Sequence, residues 1–330
     1  MSPGPADRDA LRELLRQPYA ARILLSAVEL DLFSPCTPGP STADQVAAAC
    51  ELDPRATGVM LEALVGLGLM VRTGQGFAAG PLASRHLAGH SPEPMHGMVF
   101  HYLHQWGRWS QLSDVVRSGR CLPRDGQPRR MHRDFVRAMD DNKAHLALAA
   151  MLPIPLDGVR RVVDLGGGPG TLAVALTRAL PEVEVTLVDR PPTLAVAASR
   201  VPPELWGSRV IPLAADLCGD DPLGQGYDLA VLSAVLHAHP PQAAAWMVGQ
   251  AVRSLAPGGR LVIRELLLDD TDPERAMDAA VFSVSLLINT EGGRSFRQDE
   301  IQAWMRAAGL EALEVLPVER GVALVGRRPL

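Results

Sequence analysis

The sequence predicts an α/β protein, a doubly wound and mostly parallel sheet preceded by a helical module of winged-helix type. Three observations carry this. After Gly158, short apolar runs alternate with helical stretches, the pattern of a parallel sheet flanked by helices. A glycine run, Gly166-Gly167-Gly168-Pro169-Gly170, follows the first of those runs, where a strand turns into a helix. Before residue 105 the apolar positions fall instead at i, i+3 and i+4, and a short hairpin closes the segment. With 330 residues the chain fits about two units of roughly 150 residues each. Its texture divides it into 1–105, a helical connector 106–155, and 156–330.

In the first segment Leu11, Leu14, Leu15, Ala20, Ile23, Leu24, Ala27, Val28 and Leu32 repeat at helical spacing, so one stripe is expected to be buried. Pro35 to Pro40 is a breaker loop. Thr42 and Gln45 read as a capping box for a short helix ending at Cys50. Asp53-Pro54 opens a second helix that runs to about Leu67. Leu69–Arg72, the turn Gly74-Gln75-Gly76 and Phe77–Ala79 make the hairpin. Helix, helix, hairpin is the winged-helix order. A winged helix that docks on DNA needs cations facing phosphates. Between Ser41 and His90 this chain sets Asp44, Glu51, Asp53 and Glu62 against Arg55, Arg72 and Arg85. The module is therefore expected to pack or dimerise, and a transcriptional regulator is the disfavoured reading.

The connector is helical and interrupted. A loop from Cys121 to Pro128 precedes a helix expected over His132–Met151, which Pro153 and Pro155 end. His101 and His104, beside Trp106 and Trp109, are expected to line a pocket or pack in a core.

In the third segment the strands are expected at Arg161–Leu165, Val183–Val188, Val210–Leu213, Tyr227–Leu232 and Leu261–Leu267. A helix over about Gly170–Leu180 follows the first. Leu313–Pro317 and Gly321–Gly326 are joined by a short link and form a C-terminal hairpin, so the last strand is expected to run antiparallel. A net charge of −5 gives no electrostatic pull toward nucleic acid or anionic lipid. No apolar run approaches the roughly 18 residues of a membrane span. The polar, Pro-rich start lacks the apolar core of a secretory signal, and a cytoplasmic location is expected. Cys36, Cys50, Cys121 and Cys218 show no metal-type spacing and read as free thiols.

The glycine run excludes side chains where backbone approaches a ligand. A dinucleotide fingerprint counted from Gly166 would place its third glycine at Thr171, and Pro169 removes an N–H that a phosphate would use. Asp164, just before the run, repels pyrophosphate and suits a cationic ligand. S-adenosyl-L-methionine supplies that cation in its ammonium and sulfonium groups. Asp189 ends the second strand, where a carboxylate accepts hydrogen bonds from ribose hydroxyls. Asp216 follows the third, placed for an adenine amino group, with Leu217 covering the ring. With Gly166, Gly168 and Ser233 these residues form the expected cofactor crevice at the carboxyl ends of the strands. An NAD-type dehydrogenase is disfavoured by Pro169 and Thr171.

With Val163–Gly170, Val188-Asp189-Arg190-Pro191, Val235-Leu236-His237 and Leu255-Ala256-Pro257-Gly258-Gly259-Arg260-Leu261, the chain resembles the S-adenosylmethionine-dependent O-methyltransferases of the caffeate and hydroxyindole type, including their bacterial antibiotic-tailoring relatives. The resemblance covers nearly the whole chain. It implies a class I methyltransferase (Rossmann-like) sheet with an antiparallel C-terminal hairpin, and a homodimer whose N-terminal residues help wall the partner's substrate pocket. It also implies a small-molecule acceptor. His237 is expected to act as general base on a phenol, whose pKa near 10 leaves it weakly nucleophilic at neutral pH. Glu265 is expected to orient it, with the logic of a triad. The chain departs from the family pattern at Ala238-His239, where Asp-Trp is common, and at Ser295, which stands at a glutamate position; Glu291 is the nearest substitute. A metal held by His237 and His239 lacks a third ligand at a recognisable spacing. Met139, Phe282, Leu286 and Leu287 are candidates for the acceptor pocket or for ordinary core. C-methylation, or a non-methylating reaction on the same fold, is the rival chemistry.

Overall fold

The computed structural model describes residues 7–123, 129–143, 154–318 and 321–330, with residues 129 and 140–143 described by backbone alone. These residues form two compact units, the first ending at Trp106 and the second beginning at Gly107.

The first unit opens with α1, Arg8–Glu29, whose N-terminus is capped by the Asp7 carboxylate accepting from Asp9 and Ala10 N–H. The capping box expected at Thr42 and Gln45 is present and starts α2, Ala43–Cys50. Asp53 caps α3, Pro54–Gly66, by accepting the Ala56 N–H at 2.8 Å. The antiparallel hairpin pairs β1, Met70–Thr73, with β2, Gly76–Ala79. Then come α4, Pro81–His86, and α5, His96–Trp109, which runs across the division between the units. Phe33, Leu61, Leu64, Met70 and Phe77 form the core. The expected burial of the Leu11, Leu14, Leu15 stripe is not what the structure shows. Leu15 is 65% exposed and Tyr19, one turn on, 72% exposed, while burial on α1 begins at Leu25. The helix simply extends beyond the core that Leu25, Ala27 and Val28 reach.

The second unit includes two short helices, α6, Leu112–Ser118, and α7, Arg129–Lys143. The helix expected over His132–Met151 thus starts three residues earlier; its continuation past Lys143, and the Arg124–Pro128 loop, lie outside the described residues. The α/β part then runs β3 (Arg161–Leu165), α8 (Thr171–Ala179), β4 (Glu184–Asp189), α9 (Pro191–Ala197), β5 (Val210–Ala214), β6 (Tyr227–Ser233), α10 (Pro241–Ser254) and β7 (Leu255–Glu265). It closes with α11 (Pro273–Asn289), α12 (Gln298–Ala307), β8 (Glu311–Val318) and β9 (Gly321–Arg327). Among the described residues the seven strands are ordered β5-β4-β3-β6-β7-β9-β8. The first five are parallel, and β9 is antiparallel to both β7 and β8, as expected of the hairpin.

Alternate residues of each strand bury against opposite layers. Val163, Leu165, Leu232 and Ile263 pack with Met247 and Val248 of α10 and Ile301 and Met305 of α12. Val162, Val185, Leu187 and Val231 pack with Leu176 of α8 and Leu194 of α9. Full cover on both faces explains why the strands read as continuous apolar runs. Chain order reverses at β3, which lies between β4 and β6, and such a switch opens a crevice at the carboxyl ends of the strands. β7 starts six residues before its expected position because Leu255 already pairs with Tyr227 across a register shift.

Candidate active site

The residues singled out for the crevice lie at or just past the carboxyl ends of β3, β4, β5 and β6. The turn after β3 passes through positive φ at Gly166 (71°), Gly168 (60°) and Gly170 (81°), the region that favours glycine. It is tied to β4: Gly166 and Gly167 N–H donate to the Val188 carbonyl at 2.8 and 3.3 Å. Gly168 N–H donates to Asp189 Oδ2 at 2.9 Å, and Asp189 Oδ1 accepts the Arg190 N–H at 2.7 Å. One carboxylate therefore ties the glycine turn to the start of the segment after β4. A Cβ at Gly166 would stand 2.7 Å from Val235 Cγ2, whereas a Cβ at Gly168 would meet nothing within 4 Å. The turn is thus wedged on one side and open on the other.

Asp164, only 1% exposed, lies under that turn; a Cβ on Gly167 would come within 2.5 Å of its Oδ2. Asp216 is exposed, its Oδ1 accepting the Cys218 N–H at 2.9 Å and its own N–H donating to Asp221 Oδ2 at 2.8 Å. Trp246 and Gln250 of α10 fasten this loop by donating to the Gly219 carbonyl. Leu217 is half-buried against the core, and Ser233 is half-buried at the end of β6, in register with Arg264.

His237 sits on a single 3₁₀ turn, Leu236–Ala238, directly after β6. Ala234, at φ 57°, turns the chain so that this segment folds over the end of β7. There Glu265, 3% exposed, accepts three hydrogen bonds. Val235 and Leu236 N–H donate to Oε1 at 3.0 and 2.9 Å, and His237 Nδ1 lies 2.6 Å from Oε2. Burial alone raises the Glu265 pKa. The His237 charge and hydrogen bond, with the Leu236 and Val235 N–H groups, outweigh burial and hold the carboxyl below its ordinary value. The Phe282 ring meets the imidazole nearly edge-on, 4.8 Å between centroids at 79°.

The segment after α11 abuts the same loop. A Cβ on Gly293 would stand 2.6 Å from the His237 carbonyl oxygen, so only glycine allows the approach. Ser295 is fully buried; its Oγ donates to the Ala279 carbonyl at 2.9 Å and its N–H to Ser283 Oγ at 3.0 Å. It serves as a strut between this segment and α11. Glu291 is exposed. His239 Nδ1 lies 3.4 Å from Cys218 Sγ, and no cluster of three or more metal-type ligands occurs among the described residues. Of the pocket candidates, Met139 and Phe282 are half-buried, Leu286 is buried and Leu287 is exposed. The Val235 and Leu236 N–H groups on Glu265 and the Gly293 approach were not foreseen. Only the Gly292-Gly293 pair hinted at the second.

Sheet order, a glycine turn and acidic residues at the strand ends define a Rossmann-like fold of the nucleotide-cofactor-binding class. The residues fit S-adenosylmethionine: open backbone at Gly168 for close approach, and the carboxylates of Asp164, Asp189 and Asp216 for a cationic, hydroxyl-bearing ligand. The O-methyltransferase domain family matches residues 109–311, and the chain belongs to it. Among curated relatives, 3-hydroxy-5-methyl-1-naphthoate 3-O-methyltransferase of Streptomyces sahachiroi is 28% identical over 309 residues, 91% of this chain and 88% of that protein. Among solved structures, an O-methyltransferase family protein of Burkholderia thailandensis is 27% identical, with a TM-score of 0.89 over 98% of both chains. Human N-acetylserotonin methyltransferase, solved in complex with S-adenosylmethionine, shares the fold at 22% identity, with a TM-score of 0.85 over 99% of this chain and 100% of that one. The protein is an S-adenosylmethionine-dependent O-methyltransferase. No helix among the described residues is long and apolar enough to cross a membrane.

Proposed function

We propose that the enzyme methylates a hydroxyl of an aromatic or polyketide-like small molecule, with His237 as general base and Glu265 as its orienting carboxylate. The observation that carries this is the 2.6 Å contact between His237 Nδ1 and a buried Glu265 whose other oxygen is fixed by two backbone N–H groups. A carboxylate only accepts, so at this contact Nδ1 donates the ring proton to Oε2, and in the neutral imidazole that acts as base Nε2 holds the lone pair. Nε2 takes the proton of the acceptor hydroxyl as oxygen attacks, and Glu265 stabilises the imidazolium that forms. Such a base contributes roughly 10²–10⁴-fold; alignment supplies much of the rest.

Bound S-adenosylmethionine supplies a methyl group on a sulfonium, already a good leaving group. Asp164, Gly166, Gly168, Asp189, Asp216, Leu217 and Ser233 are the residues that would hold it. The carboxylates of Asp164, Asp189 and Asp216 would accept from its ammonium, ribose hydroxyl and adenine amino groups respectively. The exposed Leu11, Leu14, Leu15 and Tyr19 of α1 support a homodimer in which a second copy covers this stripe. Four free cysteines support a cytoplasmic setting.

The test is to incubate the enzyme with S-adenosylmethionine and a panel of hydroxynaphthoates and hydroxyindoles, and to locate the new methyl by NMR. An O-methyl product from wild type, lost in His237→Ala, is the expected result. A methyl on ring carbon, or transfer that survives His237→Ala, would overturn the assignment.

A further inference from the structure

We propose that Phe282 is a positioning residue for the reaction, holding the His237 imidazole in the plane from which Nε2 works. This rests on the reading of His237 as the base. A histidine ring is attached through a broad, roughly two-fold torsion, and one hydrogen bond leaves it free to rock about the Nδ1 contact. Glu265 fixes one edge at 2.6 Å. Phe282 closes the remaining freedom, because its ring stands at 79° to the imidazole with centroids 4.8 Å apart, inside the range of favourable edge-to-face pairs.

The support is rigid because the element that carries it is bolted to the catalytic loop. Phe282 lies mid-way along α11, one residue before Ser283. Ser283 Oγ accepts the Ser295 N–H, and Ser295 Oγ donates to the Ala279 carbonyl, so two hydrogen bonds flank Phe282 on the same helix. The chain that brings Ser295 there passes Gly293, where a Cβ would stand 2.6 Å from the His237 carbonyl oxygen. Thr290 Oγ1 accepts the Gly293 N–H at 3.1 Å and fixes that turn to the end of α11. Helix and return segment are thus joined by three hydrogen bonds next to the base loop. Ser295, at a position where the resembling family has glutamate, ties the return segment to the helix that carries Phe282. With Ser295 committed to backbone, the second support of the imidazole is apolar and aromatic.

A double-mutant cycle on the full-length enzyme tests this, with His237→Ala, Phe282→Leu and the pair, using a hydroxynaphthoate that wild type methylates. Phe282→Leu is expected to lower kcat about 3- to 10-fold, the rate equivalent of one aromatic pair. S-adenosylmethionine affinity and melting temperature stay unchanged, and Phe282→Tyr recovers most of kcat. In the His237→Ala background the same Leu substitution changes kcat by under about twofold, because there is no ring left to hold. A loss confined to the acceptor KM, or an equal loss in both backgrounds, would make Phe282 a pocket wall and overturn the proposal. If His237→Ala alone keeps wild-type kcat, the base reading itself fails, an outcome distinct from the other two.

Discussion

Glu265→Gln changes one atom of the buried dyad and gives a sharp expectation. The carboxylate accepts from Val235 N–H, Leu236 N–H and His237 Nδ1. A glutamine amide has one carbonyl oxygen, and the two backbone donors hold it. Its NH₂ then faces Nδ1, which must accept, and the ring proton moves to Nε2, the atom that has to be empty. A hydrogen bond to a charged group is worth roughly 1.5–3 kcal/mol, which alone corresponds to about a ten- to hundredfold loss. The wrong tautomer removes the base as well, a further part of roughly 10²–10⁴. The variant is therefore expected to lose about 10²–10⁴ in kcat, measured at saturating S-adenosylmethionine and acceptor. Cofactor affinity by calorimetry should stay within about twofold, since Glu265 lies outside the glycine turn. A variant that keeps kcat within about threefold of wild type would refute the tautomer argument.

Four further expectations follow from the same geometry. Asp189→Asn puts an amide NH₂ against the N–H of Gly168 or Arg190, so S-adenosylmethionine affinity should fall about tenfold or more by calorimetry; unchanged affinity would contradict the placement. Gly293→Ala places a methyl 2.6 Å from the His237 carbonyl oxygen, so kcat should fall at least about tenfold with the fold retained by circular dichroism, and full activity would show that the loop yields freely. Leu14→Glu with Leu15→Glu should turn a dimer into a monomer in sedimentation velocity; an unchanged sedimentation coefficient would mean that this stripe is not the interface. Acid stability depends on carboxylates held below their ordinary values. In Glu265 burial is outweighed by His237 and two N–H groups; in Asp270 the Arg275 hydrogen bond leads. Depressed groups stabilise the fold above their unfolded pKa values of about 4.3 and 3.9, and that stability is lost as pH falls through the lower folded values. The melting temperature should hold down to about pH 5 and drop below about pH 4. A decline already at pH 6 would point to other groups.

What the sequence made legible was local chemistry. Arg161–Leu165 reads correctly because an apolar run ends in glycines, and Thr42 with Gln45 reads correctly because a capping box is a contact between near neighbours. Asp164 and Asp189 at strand ends, and the pairing of His237 with Glu265, were equally readable once the strands were placed. Burial on α1 was not. Leu11, Leu14 and Leu15 have the spacing of a buried stripe, but periodicity is the same whether the cover is the chain's own core or another surface. The start of β7 was missed because Pro257, Gly258 and Gly259 look like a turn, while Leu255 is held in the sheet by Tyr227. The roles of Ser295 and Gly293 are set by residues outside their local sequence, Ser283 and Ala279 for the serine and His237 for the glycine. In sequence Ser295 looks like a lost carboxylate; in the fold it is a strut that registers α11 against the base loop.

In the proposed mechanism His237 draws the proton from the acceptor hydroxyl as the methyl is transferred. This step is tested most directly by a single turnover, with enzyme and S-adenosylmethionine premixed and then mixed rapidly with a hydroxynaphthoate acceptor. His237→Ala is expected to bind the cofactor within about twofold of wild type and to transfer the methyl about 10²–10⁴-fold more slowly. Transfer at the wild-type rate from an equally loaded variant would contradict the account.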